Sequence, residues 1–186
     1  MGIKTHITIT DLPPILDCSI LTPTEHGVSD SVYITDQGVL KLFETATKDT
    51  VLEERDLLLN LSSLPVAKHS SDVFVLDKKP CVLYTKLNGT SLEKADNHHI
   101  IQIAKFMRRF HEQTAGLTST NIPLFEAPRL QSLIDQTQYL PFQKLFDSID
   151  LQLARDGVIH GDLFLDNALF DNGELSGVFD FIEACE

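Results

Sequence analysis

The residues of this sequence best placed to do chemistry are His160-Gly161-Asp162, Asn167 and Asp180. Their order is an aspartate, four spacers, an asparagine, a short apolar hairpin and a second aspartate. Moving a phosphoryl group between two oxygens asks little covalent chemistry of a protein. It needs positioning, a hard cation, and one group that orients the acceptor hydroxyl. Asp162 suits the hydroxyl, and the oxygen donors of Asn167 and Asp180 suit Mg²⁺. The stretch between them is legible as a hairpin. Ala168-Leu169-Phe170 and Leu175-Ser176-Gly177-Val178-Phe179 are apolar runs, and Asp171-Asn172-Gly173 tolerates positive φ in a tight turn. Folding that hairpin returns Asn167 toward Asp180. Each piece alone is common in turns; order and spacing together point to ATP-dependent phosphoryl transfer.

Such a site makes demands upstream: a phosphate-covering turn, a lysine on a buried strand, and a helical acid to hold that lysine. Val32-Tyr33-Ile34-Thr35 and Val39-Leu40-Lys41-Leu42-Phe43 read as strands joined at Asp36-Gln37-Gly38, with Val39, Lys41 and Phe43 on one face. A buried ammonium requires an anionic partner. Residues 50–61 carry Val51, Glu54, Leu58 and Leu61 at helical spacing, which puts Glu54 on the inward stripe and Glu53 beside it. The expected pair is therefore Lys41 with Glu54. The alternative has Lys41 reaching solvent at a sheet edge and both acids on the surface. The turn at 25–31 holds Gly27, Ser29 and Ser31, whose amides and hydroxyls suit phosphate oxygens, though an unliganded hairpin turn would look the same. A second hairpin, 73–76 with 81–84 around Asp77-Lys78-Lys79-Pro80, leads into a polar exit at 85–90.

The catalytic segment resembles the protein-kinase-like superfamily, whose loop reads H-R-D-x-x-x-x-N and whose metal motif is D-F-G. Here these read H-G-D-x-x-x-x-N and D-F-I-E, which resembles the branch of aminoglycoside phosphotransferases and choline kinases, enzymes of small molecules. Within it, residues 157–164, Asp166-Asn167, Leu175-Ser176-Gly177, Asp180-Phe181 and Ala184-Cys185 are most similar to homoserine kinases of this fold. The resemblance implies an α+β, two-lobe architecture: residues 1–87 as a nucleotide-binding lobe with an antiparallel sheet and one helix, and 88–186 as a mainly helical catalytic lobe. It implies ATP and Mg²⁺ as cofactors and a small hydroxyl-bearing substrate. Asp162 takes the acceptor proton, Asn167 and Asp180 hold the metal, and Lys41, positioned by Glu54, grips phosphates under Gly27, Ser29 and Ser31. The main chain of Lys86 and Leu87 meets adenine, and His160 packs to hold the loop. The family continues well beyond the metal-binding aspartate, whereas only residues 181–186 follow it here. The expectation is a partial catalytic lobe, finished by a further C-terminal segment or a partner. A non-catalytic nucleotide-binding remnant is the alternative.

Composition bounds the rest. A chain of 186 residues, 42% hydrophobic, is long enough to bury a core. Net charge of −12 with pI near 4.9 argues against nucleic acid, since no basic patch is visible. No apolar run approaches a membrane span, no signal peptide is evident, and three cysteines without a C-x-x-C pair suggest a reduced, cytoplasmic protein. From Ala95 onward Ile100, Ile103, Ala104, Met107 and Phe110 mark a helix capped by Asp96 or Asn97, and 130–140 and 142–153 read as two shorter helices, the second ended by Gly157. His98, His99 and His111 lack partners at metal-ligand spacing.

Overall fold

The computed structural model describes residues 3–25, 29–122, 126–149 and 156–186. Its first half is a five-stranded antiparallel sheet in the order β1-β2-β3-β5-β4, built from β1 (Leu21–Pro23), β2 (Ser31–Thr35), β3 (Val39–Leu42), β4 (Phe74–Leu76) and β5 (Lys79–Tyr84). The period-two pattern of β3 works as the sequence suggests. Leu40 and Leu42 point to one face with Tyr33, Cys81 and Leu83, under a lid made by Leu12, Leu16 and Cys18. Val39 and Phe43 point to the other, with Val82 and Tyr84. The β4–β5 turn is tighter than expected. Asp77 and Lys78 alone form it, at φ of 46° and 63°, as a two-residue primed turn requires. Lys79 and Pro80 belong to β5, where the Pro80 carbonyl accepts from Phe43 N at 3.0 Å.

A polar knot closes one end of the three interior strands, β2, β3 and β5. Glu44 accepts hydrogen bonds from Thr5 Oγ1 and Ser31 Oγ and an ion pair from Lys79, with its side chain 8% exposed. Burial alone would raise the Glu44 pKa, but the bonds from Lys79, Ser31 and Thr5 outweigh it and bring it down to about 2. A depressed folded-state pKa contributes stability that is present above the ordinary value of 4.5 and lost as pH falls toward about 2. Chemical denaturation in steps across that window is expected to show stability falling with acid, and Glu44→Gln is expected to flatten part of the slope. An unchanged slope in Glu44→Gln would contradict the assignment.

Helix α1 (Lys48–Asn60) lies against the inner face. Thr47 caps it by accepting from Thr50 N at 3.2 Å, and Val51, Glu54, Leu57 and Leu58 are its buried stripe. Behind it the same core continues without a break into the second half: Phe43, Val51 and Leu61 belong to one apolar cluster with Phe106, Phe110, Ala168, Val178 and Phe181. The hairpin of β6 (Ala168–Asp171) and β7 (Glu174–Val178) turns at Asn172 and Gly173, both at positive φ. Residues 65–67 run beside it, with Val178 N donating to Pro65 O at 2.8 Å.

Helix α2 (Asn97–Thr114) starts at Asp96, whose carboxylate accepts from His99 N at 3.0 Å. Its buried face keeps Ile103 and Phe110 of the expected stripe but not the rest. Phe106, Phe110 and Thr114 turn inward with Ile103, leaving Ile100 55% and Met107 40% exposed. Two phenylalanines four residues apart bury more apolar area than the Ile and Met alternatives, and Phe110 packs on Phe181 at 5.8 Å between ring centres. Thr114 on the same face donates to Val158 O at 2.8 Å.

Helices α3 (Ala127–Thr137) and α4 (Leu140–Asp147) pack on each other. They begin earlier than the sequence suggests because Pro128 and Pro141 occupy their first turns, where a missing N–H costs nothing. The second ends at Asp147, where Ser148 N donates to Leu145 O, short of the end expected near Leu153, which lies outside the described residues; Gly157 does not end it but pairs with Ala115 in a bridge. Among the described residues no helix is long and apolar enough to cross a membrane.

Candidate functional site

The loop 159–167 is fastened from both sides. Ile159 exchanges backbone hydrogen bonds with Cys185, at 2.8 and 3.2 Å, which lays the chain after Asp180 against the loop. Gly161 sits in that contact at φ +82°, and a Cβ there would lie 2.1 Å from the Glu183 carbonyl oxygen. This is the physical reason for glycine between the histidine and the aspartate. Gly161→Ala is expected to cost on the order of 3 kcal/mol in denaturant unfolding, because left-handed strain and a backbone clash add. A loss below about 1 kcal/mol would show that the loop can re-seat itself.

His160 is buried and spans the loop. Asp162 N donates to its Nδ1 at 3.3 Å, so the proton resides on Nε2, which donates to Phe179 O at 3.1 Å. Burial holds the ring below its ordinary pKa, so the neutral tautomer is a brace between the loop and the strand exit. Asn167, also buried, donates from Nδ2 to Asp162 O at 2.8 Å and Asp162 Oδ2 at 3.2 Å, which leaves its Oδ1 as a free oxygen donor. Phe179 N donates to Asn167 O at 3.1 Å, so the hairpin does return Asn167 to the residue preceding Asp180. Asp180 itself has φ 67°, an uncommon conformation for a non-glycine residue and one that clusters at functional sites.

Lys41 reaches Asp180 Oδ1 at 2.7 Å and Asp30 Oδ2 at 3.0 Å, with its side chain 10% exposed. Burial alone would lower its pKa, but Asp180, then Asp30 and Glu54, outweigh it and hold the ammonium well above its usual value. Here the sequence expectation is corrected. Lys41 makes no ion pair with Glu54, which instead accepts from Tyr84 OH and from His69 Nε2, the latter at 3.0 Å. Glu54 is on the inward stripe, as expected, but the nearer claims of Tyr84 and His69 turn its carboxylate from the ammonium. Glu53 lies to the side, bound to Ser119 and Thr120.

The phosphate-covering turn is also revised. Gly27 lies outside the described residues. Ser29 is exposed, its carbonyl accepting from Lys4 Nζ at 2.9 Å. Ser31 is wholly buried in β2, accepting from Lys4 N and Thr5 N and donating to Glu44, so its hydroxyl is committed to bonds within the fold. The residue of this turn that does enter the site is Asp30, which the sequence reading passed over. Its signal was an acid two residues before Val32, the position that pairs with Lys41, and therefore on the lysine's face of the sheet.

At the exit from β5, Thr85 N donates to Lys68 O and Thr90 pairs with Phe170. Between them the main chains of Lys86 and Leu87 bond to no other described residue, while the Leu87 side chain packs over Gly177. Asp162 carries a raised pKa, from burial first and then from the charge of Asp180. The structure thus brings Lys41, Asp180, Asn167 and Asp162 into one linked set, adds Asp30 to it, and places Ser31 elsewhere.

Comparison with known proteins decides the family. Residues 20–185 match the model of the phosphotransferase enzyme family. The chain belongs to that family. Among curated relatives, homoserine kinase of Methylobacillus flagellatus is 30% identical over 94% of this chain and 60% of its own length, and that of Beijerinckia indica is 28% identical over 100% and 67%. This phosphotransferase-family chain therefore spans about two thirds or less of the length of those relatives. Among solved structures, a thermostable mutant of aminoglycoside phosphotransferase APH(4)-Ia superposes with a TM-score of 0.62 at 15% identity, over 90% of this chain and 68% of that one. Macrolide 2'-phosphotransferase MphH of Brachybacterium faecium gives 0.58 at 15% identity, over 89% and 66%. At such identities the structural likeness speaks for the kinase-like fold alone.

Proposed function

We propose that this chain carries the nucleotide-binding and catalytic residues of an ATP-dependent phosphotransferase acting on the hydroxyl of a small molecule, with homoserine the first acceptor to test. The observation that carries the reading is the linked set Lys41–Asp180 and Asn167–Asp162, formed by residues 139 and five positions apart in sequence. Kinship with homoserine kinases over nearly the whole chain supports the acceptor.

In this reading residues 1–87 hold the nucleotide and 88–186 supply the chemistry. Lys41 leaves its acids in part for the phosphates, and the unpaired main chain of Lys86 and Leu87 meets the adenine edge. Asp162 orients the acceptor hydroxyl and takes its proton as the oxygen bonds to the γ-phosphorus and the bond to the ADP oxygen breaks. Asn167 Oδ1 and the Asp180 carboxylate are hard oxygen donors. They are joined through the hydrogen bond from Phe179 N to Asn167 O and are the residues that would hold Mg²⁺. When bound there, Mg²⁺ would neutralise charge on the phosphates. Cys18, Cys81 and Cys185 are all buried, and a reducing compartment such as the cytoplasm is the location proposed for them.

Titration calorimetry with ATP in the presence of Mg²⁺ tests the nucleotide half of this reading. Binding is expected, and Asp180→Asn is expected to weaken it about tenfold through the lost cation contact, a difference of about 1.4 kcal/mol. A folded wild-type protein that binds no nucleotide at millimolar MgATP would overturn it.

A further inference from the structure

Lys41 carries a second acid, Asp30, that the phosphotransferase reading leaves without a task. Asp30 Oδ2 meets Lys41 Nζ at 3.0 Å, and Oδ1 accepts from Glu44 N at 3.0 Å, with the side chain 9% exposed. Each carboxylate oxygen therefore has a fixed partner. The neighbours are fixed as well, since Ser31 is tied to Lys4 N, Thr5 N and the Glu44 carboxylate, and Glu44 is tied in turn to Lys79. Asp30 leaves Lys41 only by disturbing this knot.

Asp180 is held differently. Its side chain is 31% exposed, and among the described residues only its Oδ1 has a partner, Lys41 at 2.7 Å. The ammonium is thus shared between an anchored acid and a releasable one. Glu54 is no substitute for either, being bound to Tyr84 and His69. With Asp162 beside Asp180 and His160 neutral, the side chains of the centre set one ammonium against the carboxylates of Asp30, Asp180 and Asp162. Burial first, and then the charges of Asp162, Asp180 and Asp30, raise the Glu183 pKa, so a further acid feels the same negative field. Charges this close, partly shielded from water, interact strongly.

On the phosphotransferase reading of this site, we propose that Asp30 is a specificity-determining residue that makes the site select a nucleotide complexed with a divalent cation and reject the bare polyphosphate. A bare polyphosphate meets an ammonium whose charge Asp30 already offsets, together with the carboxylates of Asp180 and Asp162. A metal-complexed nucleotide arrives with part of its charge neutralised, and Asp180 is free to turn toward the cation while Asp30 stays on Lys41. Selectivity of this kind comes from repulsion built against the wrong ligand rather than from new contacts to the right one. A different outcome marks a purely structural Asp30. If it only propped Lys41 in place, removing it would weaken both forms of the nucleotide alike.

Titration calorimetry of the whole chain with ATP, once in excess EDTA and once with Mg²⁺, tests this in wild type and Asp30→Asn. The amide keeps an oxygen for Glu44 N, so the knot is retained. Wild type is expected to bind the complex more tightly than bare ATP. In Asp30→Asn bare ATP is expected to bind about tenfold more tightly, a difference of about 1.4 kcal/mol, and MgATP to gain less, so the preference for the complex shrinks. Asp56→Asn removes an acid from the exposed face of α1, where its carboxylate pairs with Arg55, and is expected to keep the wild-type preference. Asp30→Ser, whose hydroxyl can also accept from Glu44 N, carries the same expectation and replaces Asp30→Asn if that variant fails to fold. Bare-ATP affinity that stays level or falls in a folded Asp30 variant would overturn the proposal. So would wild type binding both forms equally, or an equal gain in Asp56→Asn. Failure of wild type to bind MgATP falls on the phosphotransferase reading, whereas bare-ATP affinity that does not rise in the Asp30 variant falls on this inference alone.

Discussion

Asp162→Asn is expected to lower acceptor-dependent turnover by about 10³-fold while leaving MgATP affinity nearly unchanged, since general-base assistance contributes roughly 10²–10⁴. The amide keeps the size and the bonds around Asn167 but cannot take a proton. The same site makes a pH prediction. Burial, and then the charge of Asp180, raise the Asp162 pKa. The working form is the carboxylate, so turnover is expected to fall on acidification beginning above the range of an ordinary aspartate. The linkage runs the other way for stability. A carboxyl whose folded pKa is raised disfavours the fold once both states are ionised, so Asp162→Asn is expected to melt no lower than wild type at neutral pH. A variant with full turnover, or one that loses activity only because it unfolds, would contradict the role.

The second large effect is at Lys41. Replacing it by Met keeps the length but leaves Asp30 and Asp180 facing each other without their shared cation. Removing one partner of a buried pair costs about 3–5 kcal/mol, and the partial exposure of Asp180, 31%, places the expected loss at the lower end. Nucleotide affinity is expected to fall at least tenfold, more than for Lys48→Met at the start of α1. Stability and affinity are expected to move together at Lys41 because, in the proposed role, the same ammonium neutralises the resting acids and the incoming phosphates. Stability loss with intact affinity would show that the lysine is only structural.

Much of this site was legible in the sequence because its parts are local. The Asp162-to-Asn167 spacing, the Asn172-Gly173 turn and the alternation around Lys41 each follow from period and turn chemistry within a few residues. The partner of Lys41 was not legible by the same means. Helical periodicity put Glu54 inward correctly, but which carboxylate meets the ammonium depends on Tyr84 and His69, brought in by the sheet and the crossing at 68–72. Asp30 was hidden for a related reason: an acid in a Gly- and Ser-containing turn looks solvated until β2 and β3 pair. Ser31 shows the limit of reading hydroxyls as phosphate donors, since the Glu44 knot claims it. On α2 the expected stripe placed Ile103 and Phe110 inward correctly, and only packing against the core decides that Phe106 joins them while Ile100 and Met107 stay out.

The central claim is that Asp162, Asn167, Asp180 and Lys41 form a phosphoryl-transfer centre for a small hydroxyl substrate. Its most direct test is ADP release with MgATP and a panel of L-homoserine, choline, an aminoglycoside and methylthioribose, using this chain and the same chain carrying Asp162→Asn. The account predicts that any acceptor-dependent release, with homoserine foremost, disappears in Asp162→Asn while MgATP binding persists. Release that continues unchanged in Asp162→Asn would contradict it.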